Sequence, residues 1–134
     1  MICYNLTQHF VSPEQQAAGI VDLPQNQKLA LRRELTFNTL PTRGEIECRC
    51  HAIIELLPSN CSSVMVGGAP YLLDILVPTL LRRGIVPFAA FTLRVSSETP
   101  DGRKVSIFRH EGLVQLGEES VRTCNCGSGS DYCG

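Results

Sequence analysis

The chain has no charge excess. Its 12 Lys and Arg nearly balance its 13 Asp and Glu, giving a formal net charge of −1. That balance argues against a protein that holds duplex DNA by coating its phosphates. A membrane-length apolar run is also missing. The longest, around Tyr71 to Leu81, is broken by Asp74 and Pro78 and followed by Arg82-Arg83. It is too short and too interrupted to span a bilayer. Residues Met1 to Phe10 carry neither a basic n-region nor a continuous apolar stretch. No secretory leader is therefore expected, and the protein reads as cytoplasmic. The sequence holds no Walker motif, no three-glycine dinucleotide fingerprint, no Ser/His/Asp constellation and no acidic metal cluster.

What remains is a chain of 134 residues with seven cysteines. The length suits one domain with a sizeable core. An odd cysteine count without a leader argues against a disulfide framework. Cys3 fits a buried strand as a small apolar residue. Cys48-Arg-Cys50-His51 invites a zinc reading, but the pair is C-x-C and falls on an expected helix. Positions two apart on a helix point about 200° from each other and do not share a metal easily. No metal and no cofactor are expected.

Local signals lay out an α/β order. Residues 1–6 read as a buried strand. Ser12-Pro13-Glu14-Gln15 is a capping box with proline at the first helical position, and Gly19 ends that helix. Ile20 to Leu23 is a short extended piece. Residues 26–36 look helical, with Leu29, Leu31 and Leu35 as the apolar members. Thr42 and Glu45 form a second capping box. Ile46, Cys50, Ile53 and Leu57 then recur at helical spacing over 43–57. Ser63 to Val66, Gly67-Gly68, residues 70–83, Gly84 and Ile85 to Phe91 make a βαβ unit, expected parallel and right-handed. Leu93 to Ser97 and Lys104 to Arg109 flank Pro100-Asp101-Gly102, a turn signal, and so form a hairpin. Gly112 to Leu116 is a last short apolar piece. The expected fold is a Rossmann-like three-layer α/β sandwich over residues 1–116. Its sheet is mostly parallel, with an antiparallel edge hairpin. Residues 117–134 read as a flexible tail rich in Cys, Gly and Ser.

Two polar loops follow short apolar strands, which places them at the carboxyl edge of a parallel sheet, where such sheets bind ligands. Gly67-Gly68-Ala69-Pro70 lies between a strand and a helix. Glycines let backbone N–H groups approach a ligand, and the helix start favours an anion; the same sequence also serves as a plain tight turn. Asn5, Thr7, Gln8 and His9 crowd the other loop. His9 suits proton transfer or donation to a phosphate, although Asn5 and Thr7 also suit capping of backbone groups. Arg94, Arg109 and His110 form a third group on the hairpin. Arginine offers a planar fork for phosphate. Strand alternation sends Arg109 and His110 to opposite faces, so at most one meets a given ligand. No conspicuous lysine lies near these loops.

The order Asn5-Leu6-Thr7-Gln8-His9, Ser12-Pro13-Glu14-Gln15, Val66-Gly67-Gly68-Ala69-Pro70-Tyr71, Phe91-Thr92-Leu93-Arg94 and Phe108-Arg109-His110-Glu111-Gly112 resembles a group of small stand-alone CRISPR-associated proteins. These are relatives of the Rossmann-like (CARF) domains that sense cyclic oligoadenylates, and they include candidate ring nucleases. The resemblance covers residues 1–116. It implies a homodimer whose two carboxyl edges share one pocket for a ring of adenylates. It implies metal-independent cleavage by attack of a ribose 2′-hydroxyl. His9 and Arg94 would then be catalytic, with His110 a lesser choice for proton transfer. Asn5, Thr7, Gln8, Gly67, Gly68, Arg109 and His110 would bind the ligand. Two other classes fit the residues: a nucleotide-sensing module without catalysis, and a small interaction or metal-handling protein that uses the cysteine tail.

Overall fold

The computed structural model describes residues 2–117. Strand β1 (Cys3–Leu6) is followed by α1 (Pro13–Ala17), β2 (Ile20–Asp22), α2 (Gln25–Leu35) and α3 (Arg43–Glu55). Then come β3 (Ser63–Val66), α4 (Pro70–Arg82), β4 (Val86–Glu98) and β5 (Lys104–Gln115). The strands form one sheet in the order β2-β1-β3-β4-β5. Pairs β1–β2, β1–β3 and β3–β4 are parallel, and β4–β5 is antiparallel. The expected α/β class, mostly parallel sheet and antiparallel edge pair are all present. The expected flexible tail falls on residues 118–134, outside the described residues.

Local chemistry accounts for the short elements. Ser12 Oγ accepts the Gln15 amide at 3.1 Å while Gln15 Oε1 accepts the Ser12 amide at 3.0 Å. This reciprocal cap lets a five-residue helix form where propensity alone would not. Thr42 Oγ1 accepts the Glu45 amide at 3.1 Å at the start of α3, but the expected second capping box is only half formed, because the Glu45 carboxylate turns to Arg49 at 2.9 Å instead of the Thr42 amide. Strand β3 is buried along its whole length, as a central parallel strand should be. Leu6, Val64 and Val66 face a core shared with α2, α3 and α4, including Leu31, Cys50, Ile53, Leu72, Leu76 and Leu80. Cys3, Ile20 and Met65 face the other way, under Val11, Phe88 and Leu113.

Two expectations change. Helix α2 does not bury Leu29, which is half exposed; it buries Lys28, with Leu31 and Leu35. The three buried positions are spaced by three and four, which puts them on one helix face. The two strands expected from 85 to 97 are one continuous strand, and Gly112 to Gln115 belongs to β5 rather than to a separate piece. A register shift makes this continuity possible. Phe91 faces Gly112 and Thr92 faces His110, so Glu111 is the extra residue of a bulge.

The last β4 residue paired to β3 is Phe88. Residues 89–98 run on past the carboxyl edge of the parallel strands, about 33 Å of chain at about 3.3 Å per residue. With β5 they form a two-stranded arm. Among the described residues no helix is long and apolar enough to cross a membrane.

Candidate functional site

From β1 the chain first reaches β2 on one side, then returns to place β3 on the other. The loops after β1 and β3 therefore part at a topological switch point, the place where open α/β sheets leave a crevice. A cleft of about 670 Å³ occupies that place. Thr7, Gln8 and His9 form one wall, Gly67 and Gly68 a second, and Thr92 of β4 a third; Met65 and Leu73 contribute apolar surface. A second hollow, of about 550 Å³, lies beside Arg32, Arg33 and Arg49. Its Arg49 is already occupied by the carbonyls of Arg33 and Glu34, at 3.3 and 3.2 Å, and by the Glu45 carboxylate. Among the described residues, the chemistry-bearing loops meet at the first cleft.

Asn5 sits beneath that wall, fully buried. Its Nδ2 donates to the His9 carbonyl and to Asp22 Oδ1, both at 2.7 Å. Its Oδ1 accepts the Thr7 amide at 2.9 Å and the Thr7 hydroxyl at 2.7 Å. Asn5 thus shapes the loop from below, and its side chain is occupied within the protein. Gln8 Nε2 reaches the Leu35 carbonyl at 3.4 Å. His9 is exposed at the cleft.

Lys28 and Asp22 complete the support, and the sequence reading missed both. Lys28 is 3% exposed, and its Nζ donates to the carbonyls of Thr7 and His9, at 3.0 and 2.9 Å, and to Asp22 Oδ1 at 3.1 Å. Three acceptors satisfy all three ammonium donors. Asp22 Oδ2 also takes the Val11 amide at 3.2 Å. Burial pushes the Asp22 carboxyl up, but hydrogen bonds from Asn5, Val11 and Lys28, with the Lys28 charge, outweigh it and hold it below its ordinary value. The signal that could have revealed Lys28 is its position on the Leu31–Leu35 face of α2.

The second wall depends on its glycines. Gly68 has φ +134°, a conformation that side chains disfavour. A Cβ on Gly67 would stand 3.2 Å from Thr7 Cγ2, so a bare backbone lets the two loops approach. Helix α4 begins beside them with Ala69 at its N-cap and no side-chain cap. Pro70 carries no N–H, and the Leu72 and Leu73 amides donate to the Ala69 carbonyl at 3.0 and 3.1 Å, so among the described first-turn groups the Tyr71 amide is the one left to an anion.

The hairpin residues are distributed differently. Arg94 is exposed on the arm, two residues beyond Thr92 and on the same face by alternation. It does not line the cleft. Arg109 pairs with Glu111 at 2.7 Å and lies on the opposite face. His110 stands across from Thr92, and its buried Nδ1 has no partner among the described residues. The structure therefore brings Thr7, Gln8, His9, Gly67 and Gly68 together, places Asn5 underneath and His110 alongside, and leaves Arg94 and Arg109 outside.

The described cysteines offer no assembled chemistry. Cys50 is buried, and burial, with the nearby Glu47 charge, raises its thiol to about 11, whereas Cys48 is exposed. Cys3 and Cys61 are also raised, mainly by burial. Such thiols are poor nucleophiles and poor metal ligands at neutral pH. Among the described residues no three His, Cys, Asp or Glu side chains converge on a point.

Comparison with known sequences matches residues 1–114 to a family described as "Uncharacterized protein MJ1673 family". No curated protein and no solved structure matches.

Proposed function

The chain belongs to the uncharacterized MJ1673 protein family, and on that footing we propose that its cleft binds a phosphate-linked nucleotide, with a cyclic oligoadenylate as the ligand the motif order implies. The observation that carries this reading is the uncapped start of α4 beside Gly67 and Gly68 at the switch point. That arrangement offers the Tyr71 amide and the positive end of the helix dipole to a phosphate without needing a lysine. We read the layering as Rossmann-like and the working unit as a homodimer.

In the catalytic version, the protein is a ring nuclease. A ribose 2′-oxygen attacks the adjacent phosphorus and the bond to the 5′-oxygen breaks. The products end in a 2′,3′-cyclic phosphate and a 5′-hydroxyl. His9 moves the proton, and in-line placement with charge stabilisation at the phosphate supplies the rest. Arg94, on the Thr92 face of the arm and outside the cleft, would neutralise phosphate on a ligand that extends past the cleft lining. A second reading, binding without cleavage, is favoured by the lining itself. Among the described residues of the cleft, His9 is the one ionisable side chain.

Incubation with cyclic tetra-adenylate in EDTA, followed by chromatography, separates the readings. Linear products ending in a 2′,3′-cyclic phosphate support the nuclease, and their loss in His9→Ala and Arg94→Ala supports the roles. An intact ring with a raised melting temperature supports the sensing module. An intact ring with no shift removes both.

A further inference from the structure

We propose that Phe10 and Gln15 form a nucleobase subsite in the switch-point cleft, with Phe10 as the stacking face and Gln15 as the donor to the base edge. This deepens the nucleotide reading above and rests on it.

Both residues line the cleft. Phe10 is 67% exposed, although the next residue, Val11, packs against the cluster of Cys3, Ile20 and Met65. A lone exposed ring on a surface is ordinary. This one is gripped through its backbone on both sides. The His9 carbonyl before it accepts from Lys28 Nζ at 2.9 Å and from Asn5 Nδ2 at 2.7 Å. The Val11 amide after it donates to Asp22 Oδ2 at 3.2 Å. Lys28 Nζ also stands over one face of the Phe10 ring, 5.2 Å from its centroid. A buried ion pair is a demanding device for a loop that only has to turn. Here it fixes an apolar ring at the cleft, where folding alone gives no reason to hold it. With one face on Lys28, the other face is the part left for a ligand. Nucleobases stack on such rings whatever their identity, because each has a π-face.

Gln15 supplies the edge. Its Oε1 accepts the Ser12 amide at 3.0 Å, which fixes the carboxamide with its oxygen in the helix cap. Its Nε2 carries two N–H donors, and its partner among the described residues is the Met65 sulfur at 3.8 Å, a weak acceptor. A donor left this poorly satisfied in the same cleft suits a ring nitrogen or carbonyl of a base. The Tyr71 amide, left for a phosphate, lies on another wall, at the start of α4. Base and phosphate would therefore occupy separate parts of the cleft.

Calorimetric titration of the full chain with adenosine 5′-monophosphate, adenosine and ribose 5-phosphate tests the subsite. The wild type is expected to bind the monophosphate roughly tenfold or more tighter than ribose 5-phosphate. Phe10→Ala, at an exposed side chain where folding is not at stake, is expected to erase that preference. Phe10→Leu, apolar but without a π-face, is expected to lose most of it, and Phe10→Tyr to retain it. Gln15→Glu keeps an oxygen for the Ser12 amide and removes the donor, and is expected to cut the preference by about fivefold. Equal wild-type affinity for the monophosphate and ribose 5-phosphate overturns the subsite and leaves the phosphate reading standing. Adenosine bound as tightly as the monophosphate, and lost in Phe10→Ala, supports the subsite and overturns the phosphate reading. An undiminished preference in Phe10→Ala overturns the stacking role, and in Gln15→Glu the donor role. Binding of none of the three overturns both readings.

Discussion

Replacing Lys28 with methionine keeps most of the unbranched stem and removes the ammonium. The Thr7 carbonyl then loses its donor, while the His9 carbonyl keeps the Asn5 amide at 2.7 Å. Asp22 keeps Asn5 and Val11 but loses its cation. Breaking a buried pair costs about 3–5 kcal/mol. Here the Lys28 side chain is 4% exposed but that of Asp22 is 23% exposed, so water partly compensates the carboxylate. The lower end, about 3 kcal/mol, is therefore expected. For a domain of this size that corresponds to a fall in Tm of about 10 °C. Urea unfolding followed by circular dichroism measures it directly. Asp22→Asn should also destabilise, and the double variant should cost less than the sum of the singles by at least about 1 kcal/mol. A loss below about 0.5 kcal/mol in Lys28→Met, or strict additivity, would refute the clamp.

The remaining expectations concern other parts of the molecule. Asp22 has a depressed carboxyl, so the stability it confers is fully present above its ordinary value of 3.8 and disappears as pH falls through the folded value. Unfolding free energy should therefore fall less steeply on acidification in Asp22→Asn than in the wild type; parallel curves would count against the assignment. Gly68→Ala should lose about 1–3 kcal/mol through strain at φ +134°, read by thermal melting, together with weaker nucleotide binding. Ser12→Ala should cost about 1 kcal/mol, because α1 loses its capping box. Alkylation at mildly basic pH, located by peptide mass spectrometry, should modify exposed Cys48 before buried Cys50, whose thiol sits at about 11.

The parts of the fold that were legible in the sequence rest on local chemistry. Ser12–Gln15, Thr42–Glu45, Gly67-Gly68 and the Pro70 start carry their reasons within a few residues, and the structure places helices and strands there within a residue or two. The cleft walls followed, because strand ends in a parallel sheet share one edge. Lys28 was not legible in that way. In Gln25-Asn-Gln-Lys-Leu-Ala-Leu it looks like a solvated residue, and only the tertiary position of the Thr7 and His9 carbonyls makes it a buried donor. The hairpin was legible in its Pro100-Asp101-Gly102 turn, but the continuity of β4 through Thr92 and of β5 through Gly112 was not. Polar Thr92 reads as a break between two strands, yet β5 returns alongside and its bulge at Glu111 preserves pairing across the irregularity.

Gly117 lies against Leu81 and Val77 near the far end of α4, and the Leu116 amide bonds the Pro87 carbonyl. Helix α4 starts at the cleft and runs away from it, so the chain passes Gly117 on the side opposite the cleft. A tether attached beyond this point would hold the protein by its back. Immobilised on a sensor chip through such a tether, the molecule would offer the mouth of the cleft to the flowing solution, which suits ligand screening.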